Sequence, residues 1–328
     1  EAGELLWAQS EDRGQNWSTA TSVGAPQLGL RQPLLAALSG DALLLCRSTV
    51  GQTAGGLYQV TINLIGRMAS EPQPVLPGVE MVASRRHALA VADAETVLLV
   101  SGLGGESLTM ATWNRQRALD PVQEDWSPSQ LVAFERDGPV DNSAGEWMGL
   151  QAVLAAERFT VVGVGPEGDL WTISRAAVGQ EWISLADPGW SGATQVAEID
   201  PGDDAVTVAS DAQGRVHVVW SVSQGGQGNG LSLWYARHAD GRWTQPSPII
   251  QPTEGLAGHP SLAQVGERLH AAWSGGAGGQ IQYASAFAAD AYTAASWPQP
   301  AWLPLPAQEG ETVASHPQIR ADLAGRLH

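Results

Sequence analysis

The octapeptide Gly214-Arg-Val-His-Val-Val-Trp-Ser221 recurs as Glu267-Arg-Leu-His-Ala-Ala-Trp-Ser274 and, cut short, as Gly325-Arg-Leu-His328. A second marker, the tryptophan set Trp126, Trp182, Trp243 and Trp297, recurs at a similar interval. The period is roughly 55 residues, and a unit of that size cannot bury its apolar face alone. Residues 204 to 250 show what the unit contains. Val206–Ser210 alternates and stops at the turn Asp211-Ala-Gln-Gly214. A β-branched and aromatic run follows over Arg215–Val222, and then a Gly-, Gln- and Ser-rich loop. Leu231–His238 reads as a third strand, closed by Asp240-Gly241, and Trp243–Ile250 as a fourth whose prolines suit an outer edge. Four short strands per repeat predict an all-β fold, a six-bladed β-propeller of four-stranded blades.

One domain accounts for all 328 residues. Its blades are expected at about 31–80, 86–136, 146–195, 204–252 and 258–306, with the first blade built from 1–24 plus 315–328. That first blade would be closed by both termini: Glu4–Gln9 supplies a third strand, His316–Asp322 a first, and Arg326–His328 the start of a second. The fourth strands are expected at Pro72–Leu76, Trp126–Phe134, Trp182–Leu185 and Trp243–Ile250. His328 falls where the other second strands continue, which leaves open a fragment of a longer protein.

Charge excludes some partners. The chain has 34 acidic and 17 basic residues, all of the latter Arg, for a net charge of −17. Nucleic acid and anionic membranes both call for basic surface, so neither is expected as a partner. No apolar run is long enough to span a bilayer as a helix. The composition suits an extracellular or cell-surface location. Cys46 lies in an apolar run and is expected to be a buried, inert thiol. The 14 tryptophans recur at blade positions and are expected mostly to pack.

Residues Ser10-Glu-Asp12-Arg-Gly14-Gln-Asn-Trp17 form the pattern Ser-x-Asp-x-Gly-x-x-Trp. It resembles the Asp-box, or bacterial neuraminidase repeat, of sialidase-like propellers. Ser and Asp side chains bond the backbone of a tight turn, Gly supplies positive φ, and Trp packs beneath. The resemblance implies a structural role for Ser10, Asp12, Gly14 and Trp17 on an outer turn. The stretch Leu30-Arg-Gln-Pro-Leu-Leu resembles the Phe-Arg-Ile-Pro opening of sialidases, with Leu30 and Gln32 at the Phe and Ile places. There the Arg is one of three that clamp a substrate carboxylate, a role the resemblance offers to Arg31. From Arg47 to Tyr58 the chain has no Asp or Glu to act as the acid catalyst that would follow, and Tyr283 and Arg237 are the nearest offers for a nucleophile and a further clamp.

In a propeller the first strand of each blade lines the central channel. The strand starts align as Arg31-Gln32-Pro33, Arg86-His87-Ala88, Gly258-His259-Pro260 and Ser315-His316-Pro317, with Glu146-Trp147 and Asp203-Asp204 in the two remaining blades. Arg31, Gln32, His87, Glu146, Asp204, His259 and His316 are therefore the candidate ligand-binding residues. Three histidines suggest a metal by type, but propeller radii hold blade starts too far apart, so no metal and no cofactor are expected. His-Pro also serves simply to set a strand start. There is no phosphate loop and no nucleophile elbow.

The expected function is a non-catalytic extracellular module that presents its loop face to a protein partner or a glycan. The alternative is a sialidase-type exo-glycosidase acting on a terminal acidic sugar. A third is a structural subunit of a surface assembly that uses the charged loop Asn114–Asp125.

Overall fold

Short runs of β-branched, aromatic and Leu residues, bounded by Gly, Asp and Pro, become antiparallel strands. The computed structural model describes residues 5–12, 14–23, 29–38, 40–48, 57–75, 86–92, 95–104, 107–115, 126, 130–133, 149–155, 158–164, 169–176, 194–198, 206–223, 231–251, 257–275, 280–303, 316–322 and 324–328. The chain divides into two compact units, one of Glu1–Val75, Val219–Tyr235 and Ser247–His328, the other of Leu76–Val218 and Ala236–Pro246.

In the first unit, Leu30–Ala37, Asp41–Ser48 and Leu57–Asn63 form a meander edged by Met68–Ala69 and Gln73–Pro74. Its inner residues Leu35, Leu44, Cys46, Val60 and Ile62 pack with Val23 and Leu30. Cys46 is buried and its thiol is pushed up to about 12 by desolvation, so it is unreactive. A second meander runs Ala257–Val265, Arg268–Gly275, Gln280–Phe287 and Ala301–Trp302.

In the second unit, Arg86–Val91, Thr96–Gly104, Ser107–Asn114 and Gln130–Ala133 form one sheet. Gly149–Ala155, Arg158–Val164, Asp169–Ala176 and Thr194–Glu198 form another. Ala88, Leu98, Val100, Leu108 and Met110 of the one share a core with Leu150, Ala152, Phe159, Val161 and Ile173 of the other. The repeat that carries the full octapeptide has residues in both units; its strands are Val206–Ser210, Val216–Ser223, Leu231–Ala239, Arg242–Trp243 and Ser247–Ile250, in the same up-and-down order.

The described residues therefore make five sheets of four or five strands, not six. Where a sixth is expected there is a two-stranded sheet, Leu6–Trp7 with Thr21–Ser22. Beside it are the isolated bridges Ser10 to Leu327 and Ala321 to Leu327. Single bridges are too short to make a ladder. The fourth strands also differ from expectation. In two sheets the run divides into two short pieces that each pair with the third strand, Arg242–Trp243 with Ser247–Ile250, and Met68–Ala69 with Gln73–Pro74. In another the strand is Thr194–Glu198, while Trp182–Leu185 lies outside the described residues. The marker tryptophans mostly precede the strand: Trp126 bridges Trp113 alone, and Trp297 is buried and donates to the Ala291 carbonyl at 2.9 Å. Trp302 departs from the packing rule, being 52% exposed.

A buried carboxylate ties the hairpin between first and second strands. Asp211 Oδ1 accepts the backbone N–H groups of Gln213 and Arg215, each at 3.0 Å. Its Oδ2 accepts Arg215 Nε–H and His217 Nε2 at 2.9 Å. The terminal copy repeats this atom for atom. Asp322 Oδ1 accepts Ala324 and Arg326 N–H at 2.9 Å, and Oδ2 accepts Arg326 Nε at 2.7 Å and His328 Nε2 at 3.2 Å. Gly214 and Gly325, both at φ +75°, make the turn possible. The pattern is Asp-x-x-Gly-Arg-x-His.

Burial alone would raise the Asp211 carboxyl, but the hydrogen bonds from His217 and Arg215 outweigh it and hold the group below its ordinary value. Burial takes His217 down to about 4, against the pull of Asp211. The unfolded chain protonates this histidine near its ordinary value of 6.5, so acid favours unfolding between there and about 4. The stability involved is fully present above 6.5 and lost as pH falls through that window. Urea unfolding at a series of pH values is expected to show it, with a slope of up to about 1.4 kcal/mol per pH unit per proton. His217→Gln should flatten the slope.

The Ser-x-Asp-x-Gly-x-x-Trp turn is bonded as its residue types require. Ser10 Oγ accepts the Gly14 N–H at 2.7 Å and donates to Asp12 Oδ1 at 2.9 Å, and Asp12 Oδ1 accepts the Asn16 N–H at 2.8 Å. Gly14 sits at φ +84°, and a Cβ there would collide with the Tyr283 phenol. Trp17 meets the same Tyr283 edge to face at 6.0 Å. Gly14→Ala is expected to cost about 2 kcal/mol or more, from backbone strain and overlap together. Chemical denaturation of the variant against wild type checks this.

Candidate functional site

Two first strands begin with the same irregularity. The pairing of Leu30–Ala37 with its neighbour shifts between Arg31 and Leu34, and that of Ala257–Val265 shifts between Gly258 and Ser261. The unpaired residues are Gln32-Pro33 and His259-Pro260. Proline has no N–H for the ladder, so the strand bulges there, and a bulge re-aims the side chains it carries. The alignment of Arg31-Gln32-Pro33 with Gly258-His259-Pro260 thus has a physical counterpart. The backbones of Arg31 and Gln32 lie on their bulge; their side chains lie outside the described structure.

His259 and His316 are brought together. Their rings stack with centroids 3.8 Å apart and planes 28° from parallel. Both have left-handed backbones, at φ +49° and +56°. Neither is Gly, Asn or Asp, and each precedes a proline, which further restricts the preceding residue. His316 is exposed, and its backbone N–H donates to Ser274 Oγ at 3.1 Å. Such strain persists only where the surroundings impose it, and it concentrates at functional sites.

His87 is different. Its strand is in register, Arg86 to Gly102, His87 to Ser101 and Ala88 to Val100, without a bulge. It is 8% exposed and its Nδ1 lies 2.7 Å from Ser101 Oγ across the strand pair. The third residue is alanine, so no proline breaks the ladder. His87 is a buried strand residue, not a counterpart of His259. Glu146 and Asp204 lie outside the described residues. Among the described residues no group of three or more His, Cys, Asp or Glu could hold a metal ion.

The residues offered for catalysis have structural partners. The Tyr283 hydroxyl is 2.7 Å from His270 Nδ1, beneath the Asp-box turn. Burial raises its phenol, which leaves it a poor nucleophile at neutral pH. The Arg237 backbone N–H donates to Thr244 Oγ1 at 3.0 Å within its own blade.

His316→Gly separates strain from folding. Glycine accepts the left-handed backbone without cost, so the variant is expected to match or exceed wild-type stability, by up to about 1 kcal/mol. Thermal melts read this directly, and a clear loss would mean that the ring stack is needed for the fold.

No protein-family model matches the chain. No curated protein matches it in sequence. Solved structures do resemble it. An α-L-arabinanase of Penicillium chrysogenum complexed with arabinobiose has a TM-score of 0.58 at 12% identity, covering 97% of this chain and 90% of that one. The NanB sialidase of Streptococcus pneumoniae gives 0.54 at 10% identity, covering 88% of this chain and 61% of that one. AofleA of Arthrobotrys oligospora gives 0.51 at 13% identity, covering 89% and 75%. At such identities the likeness establishes the fold, a sialidase-like β-propeller. The match spans less than two thirds of the NanB chain.

Proposed function

We propose that this chain is a non-catalytic, extracellular β-propeller that binds carbohydrate at the starts of its first strands, with His259 and His316 at the contact. The observation that carries the reading is the stacked pair of histidines, both held in left-handed backbone. Folding alone would be served better by glycine or asparagine at each place. Two imidazoles on a bulged rim offer both a flat apolar face and N–H or lone-pair edges, the mixture that a sugar ring needs. The similar structures include an arabinanase holding arabinobiose and a sialidase, which supports a saccharide over other small ligands. The engagement of Tyr283 with His270 and the Asp-box favours binding without turnover.

The same reading includes a sixth blade shared by the two ends of the chain. Its support is the reciprocal pair Ser10 N to Leu327 O at 2.8 Å and Leu327 N to Ser10 O at 3.1 Å, with Arg320 and His328 bonded likewise at 2.9 and 2.8 Å. Ile319 and Leu327 pack with Tyr283 and Trp17 in one cluster.

An immobilised panel of neutral and acidic oligosaccharides, arabino-oligosaccharides included, tests the function. At least one is expected to bind, and His259→Ala or His316→Ala to weaken it by roughly tenfold or more, about 1.4 kcal/mol. Binding untouched by both substitutions would remove the site. Release of aryl alcohol from aryl glycosides would overturn the non-catalytic part, and capture of protein ligands alone would move the reading to a protein partner.

A further inference from the structure

Arg320 carries a charge that its surroundings do not balance. Residues 316–322 lie against the strand Ala257–Val265, with the Ile319 N–H donating to Ser261 Oγ at 2.9 Å. Arg320 Nη1 donates to the Ile319 carbonyl at 2.7 Å, to Ser261 Oγ at 3.0 Å and to the Leu262 carbonyl at 3.4 Å. One edge of the guanidinium is taken up in this way. The other edge, Nε–H with Nη2–H, is the side-on fork that fits two oxygens of one oxyanion.

Among the described residues that fork has no hydrogen-bonding partner and no carboxylate within ion-pair range. The residue as a whole is partly exposed. The arginines of the hairpin knots behave otherwise: Arg215 and Arg326 give their Nε–H to Asp211 and Asp322. Arg268 spends its donors on Ser285 and lies 4.5 Å over Phe287. Burial lowers Arg320 to about 10, so its charge is poorly solvated, and a cation in that position favours an anionic partner.

The segments around it are also short of carboxylates. Ala257–Val265 and residues 316–321 hold His259, His316 and Arg320 but no Asp or Glu, in a chain where acidic residues outnumber basic ones 34 to 17. Among the described residues the carboxylate that follows in this segment is Asp322, which is already committed to Arg326 and His328.

We propose that the Nε/Nη2 edge of Arg320 is an oxyanion-binding site that takes a carboxylate or a sulfate group of a small ligand. Nothing in this requires the ligand to be a sugar, so the site stands apart from the carbohydrate reading of the histidine pair.

The test is the Nε–H resonance of Arg320 in 15N-labelled protein, assigned by its loss in Arg320→Lys. Sodium sulfate and sodium glucuronate are titrated at matched ionic strength, with sodium chloride as control. A saturable shift of this resonance with sulfate or glucuronate, absent with chloride, is expected. A response to glucuronate alone identifies a carboxylate site, and a response to sulfate alone a sulfate site. Arg320→Lys keeps a cation near the Ser261 and Leu262 oxygens but lacks the fork, and is expected to bind the responding anion roughly tenfold more weakly or worse by calorimetry. A resonance that sulfate and glucuronate move no more than chloride does overturns the proposal, whether or not the lysine variant folds. In His259→Ala the shift should persist even where carbohydrate binding is lost, which keeps the two readings separable.

Discussion

A buried aspartate that accepts four hydrogen bonds is the constraint on which the hairpins rest. Asp211 and Asp322 are each almost wholly buried, and a carboxylate in that position is tolerable only when every lone pair is answered. The answer is local. Two backbone N–H groups close the turn, and an arginine and a histidine of the following strand reach back to the second oxygen. Removing the aspartate would orphan four donors at once, so the turn, the strand register and the buried imidazole stand or fall together.

The third copy shows what happens when the acid is absent. Gln264 stands where the pattern has aspartate, and its neighbours take new partners. Arg268 turns to Ser285 and the Phe287 face, and His270 turns to the Tyr283 hydroxyl. Tyr283 is thereby fixed under Gly14 and beside Trp17. One Asp-to-Gln difference between copies thus joins this blade, through Tyr283, to the turn at Gly14 and to Trp17.

The all-β repeat of short strands and the self-bonded turn at Ser10–Asn16 were legible in the sequence, because each rests on local chemistry: alternation, and side chains that bond their own turn. The histidine of the Gly-Arg-x-His repeat was visible as a marker, but not its aspartate six residues earlier, since a spacing does not show that a side chain turns inward. Thr194–Glu198 was missed because a five-residue edge strand has little pattern of its own, and the tryptophan that marks it in other repeats lies well ahead. His87 was misplaced by analogy: without a proline after it, the ladder continues and buries it. Arg320 left no signal, because an arginine without a carboxylate is recognised only once its neighbours in space are known.

The two anomalies of the first unit have a common logic. Strain at His259 and His316 and a charge at Arg320 without a carboxylate partner among the described residues both reduce stability, and both lie on Ala257–Val265 and the segment 316–322 beside it. The hairpin knot at Asp322 shows that this same segment can hold an arginine and a histidine against a carboxylate when the fold calls for it. That Arg320, two residues earlier, has no such acid is therefore not a limit of the local backbone. A fold selected for stability alone would place an apolar or paired residue there, and glycine at the two histidine positions. Left-handed non-glycine residues also stand at Arg67 and Asp240, on turns that leave third strands, so backbone strain alone does not single out the first strands. His259 and His316 differ from those two in standing ring to ring, 3.8 Å apart, beside a guanidinium held by the Ser261 hydroxyl and the Ile319 and Leu262 carbonyls.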